Sequence, residues 1–183
     1  MLADGILGIG AEMVVDRDLD DNTRLVGDLY DELAGPIFNY VLRLVNERDL
    51  AEELTQETFA RVLAARERLP YVANRRAWVY RIATNTCFRA LRRRKRFVWI
   101  PWFAQDSDDG KDPAEEVSQR NVVREALQSL PPEYRAPLLL YLHDGLALTE
   151  VAEIMGISEG AVKTRIYRAR EMFRRAYTRE IAQ

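Results

Sequence analysis

The chain has 183 residues, nearly balanced charge (27 Lys and Arg against 29 Asp and Glu) and a single cysteine. That length holds one large domain or two small ones, and Cys87 alone excludes an intramolecular disulfide. No apolar run approaches the ~20 residues that span a bilayer, and no basic segment precedes an apolar one at the N-terminus, so a soluble, cytoplasmic chain without membrane insertion is expected.

The distribution of charge says more than its sum. The first 32 residues hold nine acids against Arg17 and Arg24, whereas residues 75–96 hold nine basic residues and no acid. Such segregation suggests a polyanion-binding face kept apart from acidic, solvated parts.

Residues 1–24 are weakly patterned and read as a mobile acidic tail. From Leu25 a helical period begins, carried by Leu29, Leu33, Ile37, Val41 and Leu44, with a kink or boundary expected at Gly35-Pro36. Residues 46–49 read as a turn. A second helix is expected over 50–68, with Leu54, Phe59, Val62 and Leu63 on or near one face and Glu52, Glu53, Gln56 and Glu57 on another. Residues 69–74 form a connecting loop. A third helix over 75–96 carries the basic run, interleaved with Trp78, Tyr80 and Phe88, and Cys87 within it reads as a small buried residue.

The periodicity then fails. Residues 97–103 are aromatic and contain a proline, and residues 106–116 are acidic with Gly110 and Pro113. Charge, glycine and proline change together, as in a linker. A second module begins near 117, with Val117, Val122, Val123, Ala126, Leu127 and Leu130 in one helix. Pro131-Pro132 breaks it, and a leucine-rich helix follows over 133–142. The fold class expected is all-α: a tail (1–24), a helical domain (25–96), a linker (97–116) and a second helical domain (117–183).

The stretch from Leu148 to Arg175 shows two short helical patterns meeting at Gly156-Ile157. Gly156 permits a tight turn, Ile157 plugs the space between the helices, and Ser158 caps the second helix. Val162, Ile166, Ala169 and Phe173 mark one face of that helix, and Lys163, Thr164, Arg165, Tyr167 and Arg168 lie on the others. This is a helix-turn-helix pattern, whose second helix enters a major groove. The plainer alternative is a helical hairpin with a solvated basic face.

The basic helix likewise has two readings. Nine positive charges could form a solvated face, the last of them favouring the negative end of the helix dipole. Yet like charges on neighbouring turns repel, and interleaved aromatics offer faces on which unpaired bases stack, so nucleic-acid contact is the stronger reading. The acidic helix around Glu52 reads from its residues alone as solvated surface, with docking to a basic protein surface as the sharper alternative. Trp99 and Trp102 are too apolar for open water and read as packed on one module, with a partner surface or DNA as alternatives. His143 lacks a second histidine or cysteine cluster and reads as structural. No nucleophile elbow, P-loop or dinucleotide fingerprint occurs, so neither enzyme activity nor a cofactor or metal is expected.

Taken together, the parts resemble a bacterial RNA polymerase sigma factor of the extracytoplasmic-function (ECF) group. Three stretches carry the resemblance: Asp49 to Phe59, like the region-two helix that docks on core polymerase; Arg76 to Asn85 with the arginine run after it, like the helix that engages the minus-ten element; and Gly145 to Arg170, like the minus-thirty-five reading motif. The resemblance implies a promoter-specificity subunit whose partners are core RNA polymerase and promoter DNA, both duplex and melted single strand. An anti-sigma factor is a further partner it suggests. It makes Asp49, Glu52, Glu53, Gln56 and Glu57 the polymerase-binding candidates. The minus-ten candidates are Asn74, Arg76, Trp78, Arg81, Asn85, Arg89, Arg92 and Arg93, with the loop 69–74 as holder of a flipped base. Ser158, Lys163, Thr164, Arg165, Tyr167 and Arg168 become minus-thirty-five candidates. Arg89 departs from the acidic residue common at its position, which removes a salt bridge and suggests an added DNA contact. The rival functions are a helix-turn-helix regulator of duplex DNA independent of polymerase, and a helical adaptor that binds no DNA.

Overall fold

The computed structural model describes the backbone of residues 8–97 and 114–182 and the side chains of residues 21–94 and 121–182. Among these residues every regular element is a helix: α1 (Gly8–Val45), α2 (Arg48–Ala64), a 3-10 helix (Arg66–Tyr71), α3 (Arg75–Phe97), α4 (Ala114–Gln128), α5 (Pro132–Leu142), α6 (Leu148–Met155) and α7 (Glu159–Ile181).

The apolar period of α1 becomes its buried stripe. Leu33, Ile37, Tyr40, Val41 and Leu44 are at most 2% exposed, and each such side chain stabilises the fold by roughly 1.5–3 kcal/mol. They meet Leu54 and Val62 of α2, Leu69 of the 3-10 helix and Val79, Ala83 and Cys87 of α3. Tyr40 stands edge-on to Tyr80 at 5.5 Å between ring centroids, and its buried hydroxyl lies 2.9 Å from Thr84 Oγ1. In the second module, Leu130, Leu140, Leu146, Val151, Ile154, Val162, Ile166 and Ala169 close the core around the helix-turn-helix.

Three sequence expectations change. Helix α1 begins at Gly8, so residues 8–24 are helical rather than an irregular tail. Pro36 lies inside α1 and ends nothing. Both Gly35 and Pro36 are exposed, and the buried neighbours Leu33 and Ile37 hold the helix across the lost N–H bond. The second helix stops at Ala64, where the chain tightens into the 3-10 turn, and Leu63 is 44% exposed rather than packed. Phe97 closes α3 and Ala114 opens α4. The tail before residue 8 and the linker aromatics Trp99 and Trp102 lie outside the described residues.

The two modules pack on one another, α1 against α5 and α3 against α6. Arg135 of α5 is 6% exposed. It donates to the Leu44 carbonyl at the end of α1, at 2.7 Å, and to the Gln128 and Leu130 carbonyls of its own module, also at 2.7 Å. Gln128 Nε2 donates to the Arg43 carbonyl at 2.8 Å. The free carbonyls at the α1 C-terminus, where the helix dipole is negative, are thus met by groups from the second module.

Candidate nucleic-acid and polymerase interface

Helix α3 starts cleanly because Asn74 caps it, its Oδ1 accepting from Ala77 N at 2.9 Å. Along α3 the side chains split by face. Ala77, Tyr80, Ala83 and Cys87 turn inward, and Arg76, Arg81, Asn85, Arg89, Arg92 and Arg93 turn outward. Burial pushes the Cys87 thiol up to about 12, so it stays protonated within the core. Tyr80 is fully buried and offers no face to a base, contrary to the stacking expected of it. Trp78, half-buried, packs against the core and keeps only part of its ring open. The most exposed aromatic among the described residues is Tyr71, 89% exposed where the 3-10 helix meets the loop before α3.

Two open clefts lie where α2 passes α3. One, of about 380 Å³, is lined by Arg61, Ile82, Asn85, Arg89 and Arg92. The other, of about 350 Å³, shares Arg61, Arg89 and Arg92 and has Glu57 and Arg93 in place of Ile82 and Asn85. Arg89, the residue at the departure position, donates to the Asn85 carbonyl and to Thr86 Oγ1, both at 3.3 Å, which steadies it at the cleft wall. Arg61 is a member the sequence did not single out, because it stands on the acidic helix, in another stretch of chain. Its signal was the i,i+4 relation to Glu57, whose Oε1 receives Arg61 Nε at 3.1 Å.

That pairing divides the acidic candidates. Asp49, Glu52, Glu53 and Gln56 are exposed on α2, with Glu52 3.1 Å from Arg48. Glu57 is half-buried and belongs to the cleft wall. At the other end of α3, Arg94 pairs with Glu47, whose hydrogen bond and charge hold that carboxyl below its usual range.

In the second module Gly156 adopts φ +65°, the left-handed conformation the turn requires. Ser158 Oγ accepts from Ala161 N at 3.2 Å and so caps α7, which engages the hydroxyl in the helix end. Ile157 packs against the core between the helices. Lys163, Thr164, Tyr167 and Arg168 are exposed on α7, Tyr167 at 68%, and Arg165 is half-buried. Thr164 donates to the Gly160 carbonyl at 2.9 Å.

Residues 29–97 match the Sigma-70 region 2 family and residues 120–173 the Sigma-70 region 4 family. The chain is 31% identical over 150 residues to the ECF RNA polymerase sigma factor SigL of Mycobacterium tuberculosis, covering 79% of this chain and 84% of that one. The chain belongs to the ECF RNA polymerase sigma factors.

Other relatives agree. SigW of Bacillus subtilis is 29% identical over 161 residues, covering 81% of this sigma factor and 86% of SigW. SigE of Mycolicibacterium smegmatis is 33% identical over 158 residues, but the chain spans only 60% of its length. Among solved structures, the sigma factor RpoE of Bartonella quintana, in complex with the anti-sigma factor NepR, superposes with TM-score 0.65 at 23% identity, covering 82% of this sigma factor and 97% of RpoE. CnrH, in complex with the cytosolic domain of CnrY, gives 0.63 at 21% identity. At these identities the two structures speak for the fold. No helix among the described residues is long and apolar enough to cross a membrane.

Proposed function

We propose that this sigma factor binds core RNA polymerase through the exposed acidic face of α2, captures the melted minus-ten strand on α3, and reads the minus-thirty-five duplex with α7. Residues 25–96 form the polymerase- and minus-ten-binding domain, and residues 117–183 the minus-thirty-five domain. The observation that carries the reading is the cleft in which Arg61, Arg89 and Arg92 surround the exposed amide of Asn85. Guanidinium groups bind phosphate through planar, forked donors, and an amide beside them reads a base edge. Tyr71, open at the adjoining loop, supplies a stacking face worth roughly 1–3 kcal/mol per unpaired base.

Within this scheme Asp49, Glu52, Glu53 and Gln56 meet polymerase, Lys163, Arg165, Tyr167 and Arg168 meet the duplex, and Ser158 acts by fixing the start of α7. The work is differential binding: affinity for the open strand over the duplex shifts the melting equilibrium by the difference. The relatives are sigma factors, and the role proposed here is a binding one. An anti-sigma factor is the proposed inhibitor.

Run-off transcription with purified core polymerase tests the reading. Promoter-dependent transcripts that require the sigma factor support it. Duplex binding without transcripts would indicate a regulator independent of polymerase.

A further inference from the structure

Helix α7 is longer than a groove needs. It runs from Glu159 to Ile181, whereas the match to the Sigma-70 region 4 family ends at residue 173. At ~1.5 Å per residue the helix is roughly 34 Å long, and a major groove is about 12 Å wide. The turns up to Arg168 are enough to fill the groove. The turns after residue 173 then lie at its wall, where the phosphate backbone runs.

The outward face continues through those later turns. Val162, Ile166, Ala169 and Ala176 are buried and mark the inner face of α7. Opposite them Thr164, Arg168, Arg175 and Arg179 recur at spacings of four, seven and four, which is one row on a helix. All four are exposed. Along the axis Arg175 stands about 10 Å beyond Arg168, and Arg179 about 6 Å further.

Ordinary surface chemistry accounts poorly for this row. The helix dipole favours a cation only within the last turn, which holds Arg179 but not Arg175. Arg175 and Arg179 stand four apart, and like charges at that spacing repel. Glu180 meets Arg179 at 3.4 Å, but the guanidinium stays mostly exposed, and such pairs are worth little in water. Arg175 has no carboxylate partner among the described residues.

We infer that Arg175 and Arg179 form a second DNA site on α7: they hold phosphates at the wall of the groove whose bases the first half of the helix reads. The inference rests on the minus-thirty-five role proposed for α7. The site takes the backbone of duplex DNA and touches no base edge. It therefore adds affinity without sequence preference and fixes the reading helix in register along the groove.

The test uses holoenzyme reconstituted with the full chain. Its probes are two fluorescent duplexes, one carrying the minus-thirty-five element of a promoter that the holoenzyme transcribes and one with that element scrambled. Anisotropy gives affinity over a range of salt concentrations. Arg175→Ala with Arg179→Ala should weaken binding to both duplexes by one common factor, about tenfold at low salt, and lower the slope of log affinity against log salt by about 2. The ratio of the two affinities should keep its wild-type value. Arg175→Lys with Arg179→Lys should restore the slope, because counterion release counts charges. Neither arginine is buried, so the fold should be intact; if the alanine pair does not fold, Arg175→Gln with Arg179→Gln takes its place under the same criteria. An unchanged slope in a folded variant, or a loss confined to the intact element, overturns the inference and leaves the reading role of α7 standing. Wild-type holoenzyme that does not distinguish the two duplexes overturns the reading role and the phosphate site together.

Discussion

Asn74 and Glu150 each cap a helix and bond to each other. Asn74 Oδ1 accepts from Ala77 N of α3, Glu150 Oε2 accepts from Ala147 N at the start of α6, and Asn74 Nδ2 donates to the remaining Glu150 oxygen. The Asn74 hydrogen bond, then the Ala147 amide, holds the Glu150 carboxyl below its usual range. One short polar contact thus fixes two helix starts and the relation between two modules.

A second contact between modules has a larger energetic weight. Burial pushes Arg135 down to about 10, so it stays charged at neutral pH. Arg135→Met would leave the Leu44, Gln128 and Leu130 carbonyls without their donor. We expect a loss of about 2–4 kcal/mol, measured by urea unfolding. A loss under about 0.5 kcal/mol would mean that water replaces the guanidinium without cost.

On α7, Lys163 and Arg168 are exposed charges on the reading helix. Lys163→Ala with Arg168→Ala should weaken duplex minus-thirty-five binding and lower the slope of log affinity against log salt by about 2. Assembly with core polymerase should be unchanged. An unaltered salt slope would place the duplex on another face.

The exposed acidic face of α2 makes a separate prediction. Glu53→Lys with Gln56→Ala should weaken association with core polymerase at least tenfold, read by competition against wild type. Neither residue belongs to the core, so thermal stability should shift by less than about 0.5 kcal/mol. Normal holoenzyme assembly would remove α2 from the polymerase interface.

Packing of the modules should depend on pH through Asp144. Burial pushes its carboxyl up to about 6 from an ordinary 3.8, against the opposing Tyr80 hydrogen bond and the charges of Arg43 and Arg76. The packed state therefore holds a proton that the separated state releases. This contribution to stability is fully present below pH 3.8 and is lost as pH rises through about 6. His143, lowered by burial and then by Arg43, acts in the opposite sense around the same range, and Glu150 contributes only above the acidic range. Asp144→Asn removes the carboxyl component alone. Its melting temperature relative to wild type should rise steadily from pH 4.5 to 7.5, by the equivalent of about 1–3 kcal/mol. A flat difference would show that Asp144 does not titrate on packing.

Much of this was legible in the sequence because it is local. The period of Leu29, Leu33, Ile37, Val41 and Leu44 announced the buried face of α1, and Gly156 with Ser158 announced the turn and cap of the reading motif. Of the two alternatives at Pro36, the helix boundary fails because a proline's cost is set by tertiary support: on an exposed face it is tolerated within α1 when Leu33 and Ile37 are anchored. Tyr80 misled because interleaving with arginines does not reveal which way a ring points. The pairing of Arg61 with Glu57 is local to α2, but the cleft that sets Arg61 beside Asn85, Arg89 and Arg92, and the Asn74–Glu150 bond, could not be read, since each brings together residues from separate stretches of chain, and in the second case separate modules. The acidic face of α2 gained its meaning from family resemblance rather than from its own residues.

The most direct measurement of the central claim follows strand opening at the minus-ten element in reconstituted holoenzyme, with a fluorescent base analogue in the non-template strand. Arg61→Ala with Arg89→Ala removes two walls of the cleft beside Asn85. The account predicts that this variant assembles with core polymerase and binds the upstream duplex as wild type does, yet opens the minus-ten region at least tenfold less. Opening at the wild-type rate and extent by a folded double variant would contradict it.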